Sequence, residues 1–199
     1  MDFYHFAKSV VWGLLKPLYR LDVKGTEHFP ETGGVLLCTN HISLLDPPTV
    51  GITAPRPVNF MAKAELFEAP VLKSLLPGLH VFPVKRGLSD RTAVRTALGF
   101  LKEGQVVGMF PEGTRSKDGT LGKPMSGAGF FALKGGDAVV VPCAVIGEYK
   151  PFRKLKVRYG KPIDMAPYRE RRASADEVAE VIMEHIAKLI EEENRPKKA

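Results

Sequence analysis

Five largely apolar runs of four to six residues recur along the chain, at 35–38, 58–61, 81–84, 106–110 and 139–144, and a sixth segment, 155–159, alternates apolar with basic residues. Such lengths suit strands, and the helical patterns and turn residues between most of them supply the crossovers that parallel pairing needs. An α/β fold follows: a single domain whose central sheet, mostly parallel or mixed, is flanked by helices. A length of 199 residues supports one well-buried core, and two full domains would leave both halves small.

Two helices carry their own end signals. Ser89 or Asp90 caps a helix reaching about Lys102, which Gly104 closes. Ser174-Ala175-Asp176-Glu177 forms a capping box ahead of a buried stripe of Val178, Val181, Ile182, Ile186, Leu189 and Ile190. His185 falls beside that stripe and is read as a packed boundary residue without a role. At the N-terminus, Phe3, Phe6, Ala7, Val10, Val11, Leu14, Leu15 and Leu18 share one arc of a helical wheel, with Tyr4, Trp12 and Tyr19 at its borders. A helix of this kind packs on its own domain or lies in a lipid headgroup layer, and the pattern leaves both open. The partition read from these signals is an amphipathic helix over 1–20, a globular domain over 21–193 and a basic tail over 194–199.

Cys38 and Cys143 both sit inside apolar runs, which predicts reduced, buried thiols and a reducing compartment. No stretch approaches the roughly 18 to 20 apolar residues of a spanning helix, and no secretory pattern opens the chain, so neither a membrane span nor export is expected. The formal charge of +7 admits an anionic membrane, nucleic acid or an acidic small substrate as partner. Between Tyr149 and Ile163 lie Lys150, Arg153, Lys154, Lys156, Arg158 and Lys161 and no acid. Lys154, Lys156 and Arg158 alternate with Leu155, Val157 and Tyr159, a strand with one basic face. That face is either a solvated edge guarded by charge or a binding surface.

Two segments carry chemistry. Asp46-Pro47-Pro48 reads as a helix start, with Asp46 at the cap and Pro in the first turn. His41 would then sit where a strand ends, and Asp46 has lone pairs enough to cap the helix and also accept from His41 Nδ1. Spacing alone does not separate a base–carboxylate pair from a plain cap beside a surface His. The second segment is the buried run 106–110 leading into Pro111-Glu112-Gly113-Thr114-Arg115-Ser116, a polar turn able to aim amides and a guanidinium at an anion. Arg115 is its natural anion holder, while Glu112 could orient that Arg or contact a substrate hydroxyl.

Asn40-His41-Ile42-Ser43-Leu44-Leu45-Asp46 resembles the first motif, Asn-His-x-Ser-x-x-Asp, of the glycerolipid acyltransferases, a family that includes 1-acylglycerol-3-phosphate acyltransferase. Phe110 to Ser116 resembles that family's third motif without a departure. Gly78-Leu79-His80-Val81-Phe82-Pro83-Val84-Lys85-Arg86 is similar to the second, departing from it at His80 and Pro83, and Val141-Pro142-Cys143-Ala144 is similar to the fourth. Four motifs in the family's order, within residues 20–165, make a specific match.

The resemblance implies transfer of a fatty acyl group from acyl-CoA or acyl carrier protein to the sn-2 hydroxyl of 1-acylglycerol-3-phosphate, giving phosphatidic acid. It implies His41 as base and Asp46 as its orienting carboxylate. Lys63, Arg86 and Arg115 would hold the acceptor's phosphate, with Glu112, Gly113 and Thr114 as further substrate contacts. Ser43 is read as a loop-shaping residue rather than a nucleophile. No tightly bound cofactor and no metal are expected. The expected setting is an anionic membrane surface on the cytoplasmic side, with a lysophospholipid substrate, possible use of acyl carrier protein, and no nucleic acid. Two other readings stand beside it: a transferase or transacylase acting on glycerol-3-phosphate or another lysophospholipid, and a non-catalytic basic module for membrane or nucleic acid.

Overall fold

A computed structural model describes residues 3–85, 90–116 and 118–195. Its seven-stranded sheet has the order β1-β7-β6-β2-β5-β3-β4. The strands are β1 (Asp22–Lys24), β2 (Val35–Thr39), β3 (Val58–Lys63), β4 (Val81–Val84), β5 (Val106–Met109), β6 (Val139–Ile146) and β7 (Lys156–Tyr159). All six expected strands are present, and three-residue β1 is an addition. From β6 to β4 every pairing is parallel, whereas β7 runs antiparallel to β6 and parallel to β1.

The helices are α1 (Phe3–Leu18), α2 (Asp46–Thr53), α3 (Pro70–Gly78), α4 (Arg91–Lys102), α5 (Ser126–Lys134), α6 (Ala166–Glu170) and α7 (Ala175–Asn194). Alternate residues of β2 face opposite layers. Leu36 and Cys38 pack with Ala97 and Leu101 of α4, Phe131 of α5 and Ile182 of α7. Val35 and Leu37 pack on the other side with Val50 of α2, Ala54 and Tyr19. Leu36 and Leu37 are both fully buried, so truncation of either to Ala should cost about 2–5 kcal/mol.

The end signals act locally as read. Asp90 accepts from the Thr92 and Ala93 amides at the start of α4, and the Ser174 hydroxyl accepts from the Glu177 amide at the start of α7. Ser89 and the tail residues 196–199 lie outside the described residues, and α7 continues through Asn194. Cys38 and Cys143 are free and fully buried. Both motif departures at β4 have a physical reason. β4 is an edge strand, where an exposed Pro83 breaks no ladder bond, and His80 precedes it at φ +58° with its ring against Tyr4, centroids 4.6 Å apart.

The solvated basic edge is not what forms. β7 is an interior strand, Arg158 is 6% exposed, and its guanidinium pairs with Asp22 of β1 and Glu193 of α7. Lys156 also reaches Glu193, at 3.0 Å. The neutralising acids are remote in sequence, which is why the segment reads as uniformly basic.

Helix α1 divides its apolar arc. Tyr4 is buried, and its hydroxyl contacts the Gly51 carbonyl and the Val58 amide, while Lys8 donates to the Ala54 carbonyl at the end of α2. Phe3, Phe6, Val10 and Leu14 stay exposed, Leu14 at 63%. No helix among the described residues is long and apolar enough to cross a membrane.

Candidate active site

Strands β2 and β5 are neighbours, yet the helices that follow them, α2 and α5, pack on opposite faces of the sheet. Adjacent strands whose connections diverge leave a crevice at their C-terminal ends, where open α/β sheets bind ligands. The His41 loop and the Pro111–Ser116 turn both emerge there.

His41 Nδ1 lies 2.8 Å from Asp46 Oδ2, and that oxygen also accepts the Ile42 and Ser43 amides, each at 2.7 Å. Tyr149 donates its hydroxyl to Oδ1 at 2.9 Å. Asp46 is fully buried, and with four donors around it the hydrogen of the His41 contact must be on Nδ1. Nε2 is thereby the free base. Asp46 is not the helix cap expected from the sequence: Leu45 holds that position and Asp46 is the first helical residue. A cap at Asp46 would accept from the amides of residues 48 and 49, but Pro48 has none and Thr49 donates to the Leu45 carbonyl, so the carboxylate turns back to His41 Nδ1 and the Ile42 and Ser43 amides.

The third-motif turn grips the His41 backbone on both sides. The His41 amide donates to Glu112 Oε1 at 2.9 Å, and the Ser116 amide donates to the His41 carbonyl at 2.8 Å. Glu112 Oε2 takes the Gly122 amide at 2.8 Å, and the residue is 7% exposed. In this structure Glu112 is therefore a strut between loops, with neither oxygen turned to Arg115. Beneath the imidazole, Phe110 stacks at 4.0 Å between centroids, and Phe60 backs Phe110 at 6.1 Å. Gly108 makes room for that column, because a Cβ there would stand 2.3 Å from the Phe60 ring. Asn40 pairs with both the amide and carbonyl of Val145 on β6, tying the loop to a second neighbouring strand.

Lys63, at the C-terminal end of β3, and Arg115 and Thr114, beyond β5, are exposed at the same end of the sheet. Arg86 lies outside the described residues. Gly113 adopts φ +66°, and a Cβ would meet Met125 Sδ at 2.2 Å, so the turn requires glycine. Ser43 Oγ accepts from the Leu45 amide, a loop-shaping contact, and His185 Nδ1 bonds the Val181 carbonyl one turn back. Among the described residues no His, Cys, Asp and Glu side chains cluster as metal ligands. Tyr149 escaped the sequence reading: it stands 103 residues from Asp46, outside all four motifs, and no spacing signals it. Burial and then the Asp46 charge hold its hydroxyl far above the usual phenol range, so it remains a donor.

The family model described as Acyltransferase matches residues 20–146. A 1-acyl-sn-glycerol-3-phosphate acyltransferase of Bacillus subtilis (strain 168) is 30% identical over 185 residues, 87% of this chain and 92% of that protein. A chloroplastic 1-acyl-sn-glycerol-3-phosphate acyltransferase of Arabidopsis thaliana is 34% identical over 154 residues, and the chain spans 42% of its length. The crystal structure of the 1-acyl-sn-glycerophosphate acyltransferase PlsC from Thermotoga maritima matches with a TM-score of 0.72 at 24% identity, covering 100% of this chain and 86% of that one. The fold is shared with that structure, and the chain belongs to the acyltransferase family.

Proposed function

We propose that the protein transfers a fatty acyl group from a thioester to the sn-2 hydroxyl of 1-acylglycerol-3-phosphate, forming phosphatidic acid. The observation that carries this reading is the His41–Asp46 contact at 2.8 Å, with Nε2 left as a base at the mouth of the switch-point crevice. His41 takes the acceptor's hydroxyl proton as its oxygen attacks the thioester carbonyl. The C–S bond then breaks, and the imidazolium returns the proton to the leaving thiolate. Asp46 fixes the tautomer and stabilises the imidazolium between those events. Phe110 and the Glu112–Ser116 clamp hold the ring and its backbone, so little reorientation is needed on the way to the transition state.

Lys63, Arg86 and Arg115 are the cations assigned to the acceptor phosphate, with Gly113 and Thr114 beside it. The chemistry requires no resident cofactor, and acyl-CoA or acyl carrier protein serves as donor. The exposed stripe of Phe3, Phe6, Val10 and Leu14 supports α1, within residues 1–20, as the membrane-contacting segment ahead of the globular domain over 21–193. In this reading the protein is peripheral to the cytoplasmic leaflet, where anionic lipid adds about 1 kcal/mol for each nearby basic residue.

The test is acyl transfer to a panel of phosphorylated and unphosphorylated acceptors. The expected result is turnover of 1-acylglycerol-3-phosphate that His41→Ala abolishes and that Arg115→Ala weakens through the acceptor KM. Equal turnover of acceptors lacking phosphate would overturn the roles given to the three cations.

A further inference from the structure

Where the end of α1 meets the turn between β6 and β7 lies a cleft of about 520 Å³ that the reaction as described does not use. Lys16, Arg20 and Lys154 line it beside Pro17 and Leu21, and none of the three cations forms an ion pair with another described residue. Its one acid, Asp22, is engaged by the Arg158 guanidinium at 2.9 Å. The last carbonyls of α1 are engaged as well: Leu15, Lys16, Pro17 and Leu18 accept from the amides of Tyr19, Leu21, Arg20 and Phe152. Free carbonyls at a helix end repel anions, and here they are all occupied.

Two backbone positions beside the cleft are not what the fold alone would select. Arg20 closes α1 at φ +43°, in a Schellman ending where glycine or asparagine is usual. Phe152 holds φ +62° in the β6–β7 turn and is 72% exposed, with its amide bonded to the Leu18 carbonyl at the end of α1. Pro17 lies three residues past Leu14, on the arc of Phe3, Phe6, Val10 and Leu14, and is exposed like them. An apolar strip therefore runs along α1 to the cleft, and Phe152 prolongs it.

These features narrow the occupant. A free phosphate would meet the three cations but leave the strip and Phe152 in water. A nucleic-acid backbone calls for cations spaced along it, whereas these converge on one cleft. A phosphate joined to hydrocarbon satisfies both parts. Three cations around one headgroup suit a phosphomonoester, which carries a charge of about −1.5 to −2, better than a singly charged diester.

We propose that the cleft between α1 and the β6–β7 turn binds the phosphomonoester headgroup of a membrane lipid, with Phe152 and the α1 strip in the acyl layer. This rests on the membrane contact and the reaction product named above. The product is itself such a lipid, so the cleft holds the enzyme on membrane that its own turnover has enriched. The site is separate from the cations assigned to the acceptor: it lies at the β1 edge of the sheet, and Lys63 and Arg115 lie beyond β3 and β5.

The test is co-sedimentation with phosphatidylcholine vesicles containing either phosphatidic acid or phosphatidylglycerol, matched in zeta potential. Wild type should bind the phosphatidic acid vesicles more tightly. Arg20→Glu/Lys154→Glu should abolish that preference and lower affinity for them about thirtyfold or more, the loss of two basic residues at an anionic surface. Arg20→Gln/Lys154→Gln, which removes the charges without reversing them, should lose the same preference. Phe152→Ser should weaken binding to both vesicle types and keep the preference; unchanged binding would refute the acyl-layer contact. Equal wild-type affinity for the two vesicle types, or a preference that survives in both double variants, would overturn the proposal. Displacement from the vesicles by millimolar glycerol 3-phosphate would overturn it in favour of a soluble ligand. A DNA duplex bound as tightly as the phosphatidic acid vesicles, and lost in the same variants, would refute it too. Failure to bind either vesicle type would remove the α1 contact along with it, whereas binding without preference would remove this proposal alone. No turnover enters these measurements, so they stand apart from the acyl-transfer assay.

Discussion

Replacing Asp46 by Asn removes one charge at nearly constant shape, which makes it the sharpest test of the catalytic pair. Oδ2 faces three donors, from His41 Nδ1, Ile42 and Ser43, so the amide oxygen must take that place in the variant. The new NH2 then faces Tyr149, whose hydroxyl can rotate from donor to acceptor. The loop should therefore keep its course. Weakening charge-assisted bonds to neutral ones costs about 1–2 kcal/mol of stability and a melting temperature lower by about 3–8 °C.

Catalysis should suffer far more. When His41 is an imidazolium its charge centre lies about 4 Å from the carboxylate, worth about 4 kcal/mol at an effective dielectric constant near 20. That energy is present only while the proton is on His41, so it should appear in kcat, as a loss of about a thousandfold, with the acceptor KM nearly unchanged. Thiol release can be followed with a chromogenic disulfide. The protein's own Cys38 and Cys143 are fully buried, and burial pushes both thiols up, Cys143 to about 12, so neither contributes signal in the native state. A folded Asp46→Asn enzyme with kcat within tenfold of wild type, or a loss confined to KM, would refute the reasoning.

Tyr149→Phe should lower kcat about three- to tenfold, and in the Asp46→Asn background it should do almost nothing; equal effects in both backgrounds would show that Tyr149 does not act through Asp46. Hydrogen bonding from Arg158, against the opposing effect of burial and with help from Lys156, pulls the Glu193 carboxyl from the ordinary 4.5 down to about 2. A depressed carboxyl adds stability that is complete above about pH 4.5 and is lost as pH falls toward 2. Melting temperature should thus fall more steeply between pH 5 and 3 in wild type than in Glu193→Gln, and parallel curves would refute the linkage. Phe6→Glu/Leu14→Glu should weaken binding to anionic vesicles about a hundredfold, from about 3 kcal/mol of lost apolar burial, without lowering the melting temperature. Unchanged vesicle binding would remove α1 from the membrane contact.

How much of this was legible in the sequence depended on distance along the chain. Strands such as β2, buried on both faces, show as continuous apolar runs, and the helix starts at Asp90 and Ser174 declare themselves within four residues. Helix α5 did not: its Ser-Gly-Ala-Gly start has little helical character, and Gly129 is there because a Cβ would collide with the Ala175 carbonyl of α7 at 1.8 Å. The same limit applied to the site. His41 and Asp46 are five residues apart and could be paired on paper, whereas Tyr149, the Glu112 strut and the acids facing β7 are joined to their partners only by the fold. Asp46 as a cap was a local rule applied without its donors, since Pro48 has no amide hydrogen and Thr49 gives its own to the Leu45 carbonyl.

The arrangement also explains why the base sits between β2 and β5 rather than at another strand end. At β2 and β5 the helices part, and the gap is open toward both layers. The clamp on His41 follows from this. A loop over such a gap is held by Phe110 beneath the imidazole and by hydrogen bonds: the Glu112–Ser116 turn grips the His41 backbone, Asn40 is tied to Val145 of β6, and Asp46 closes the loop from within.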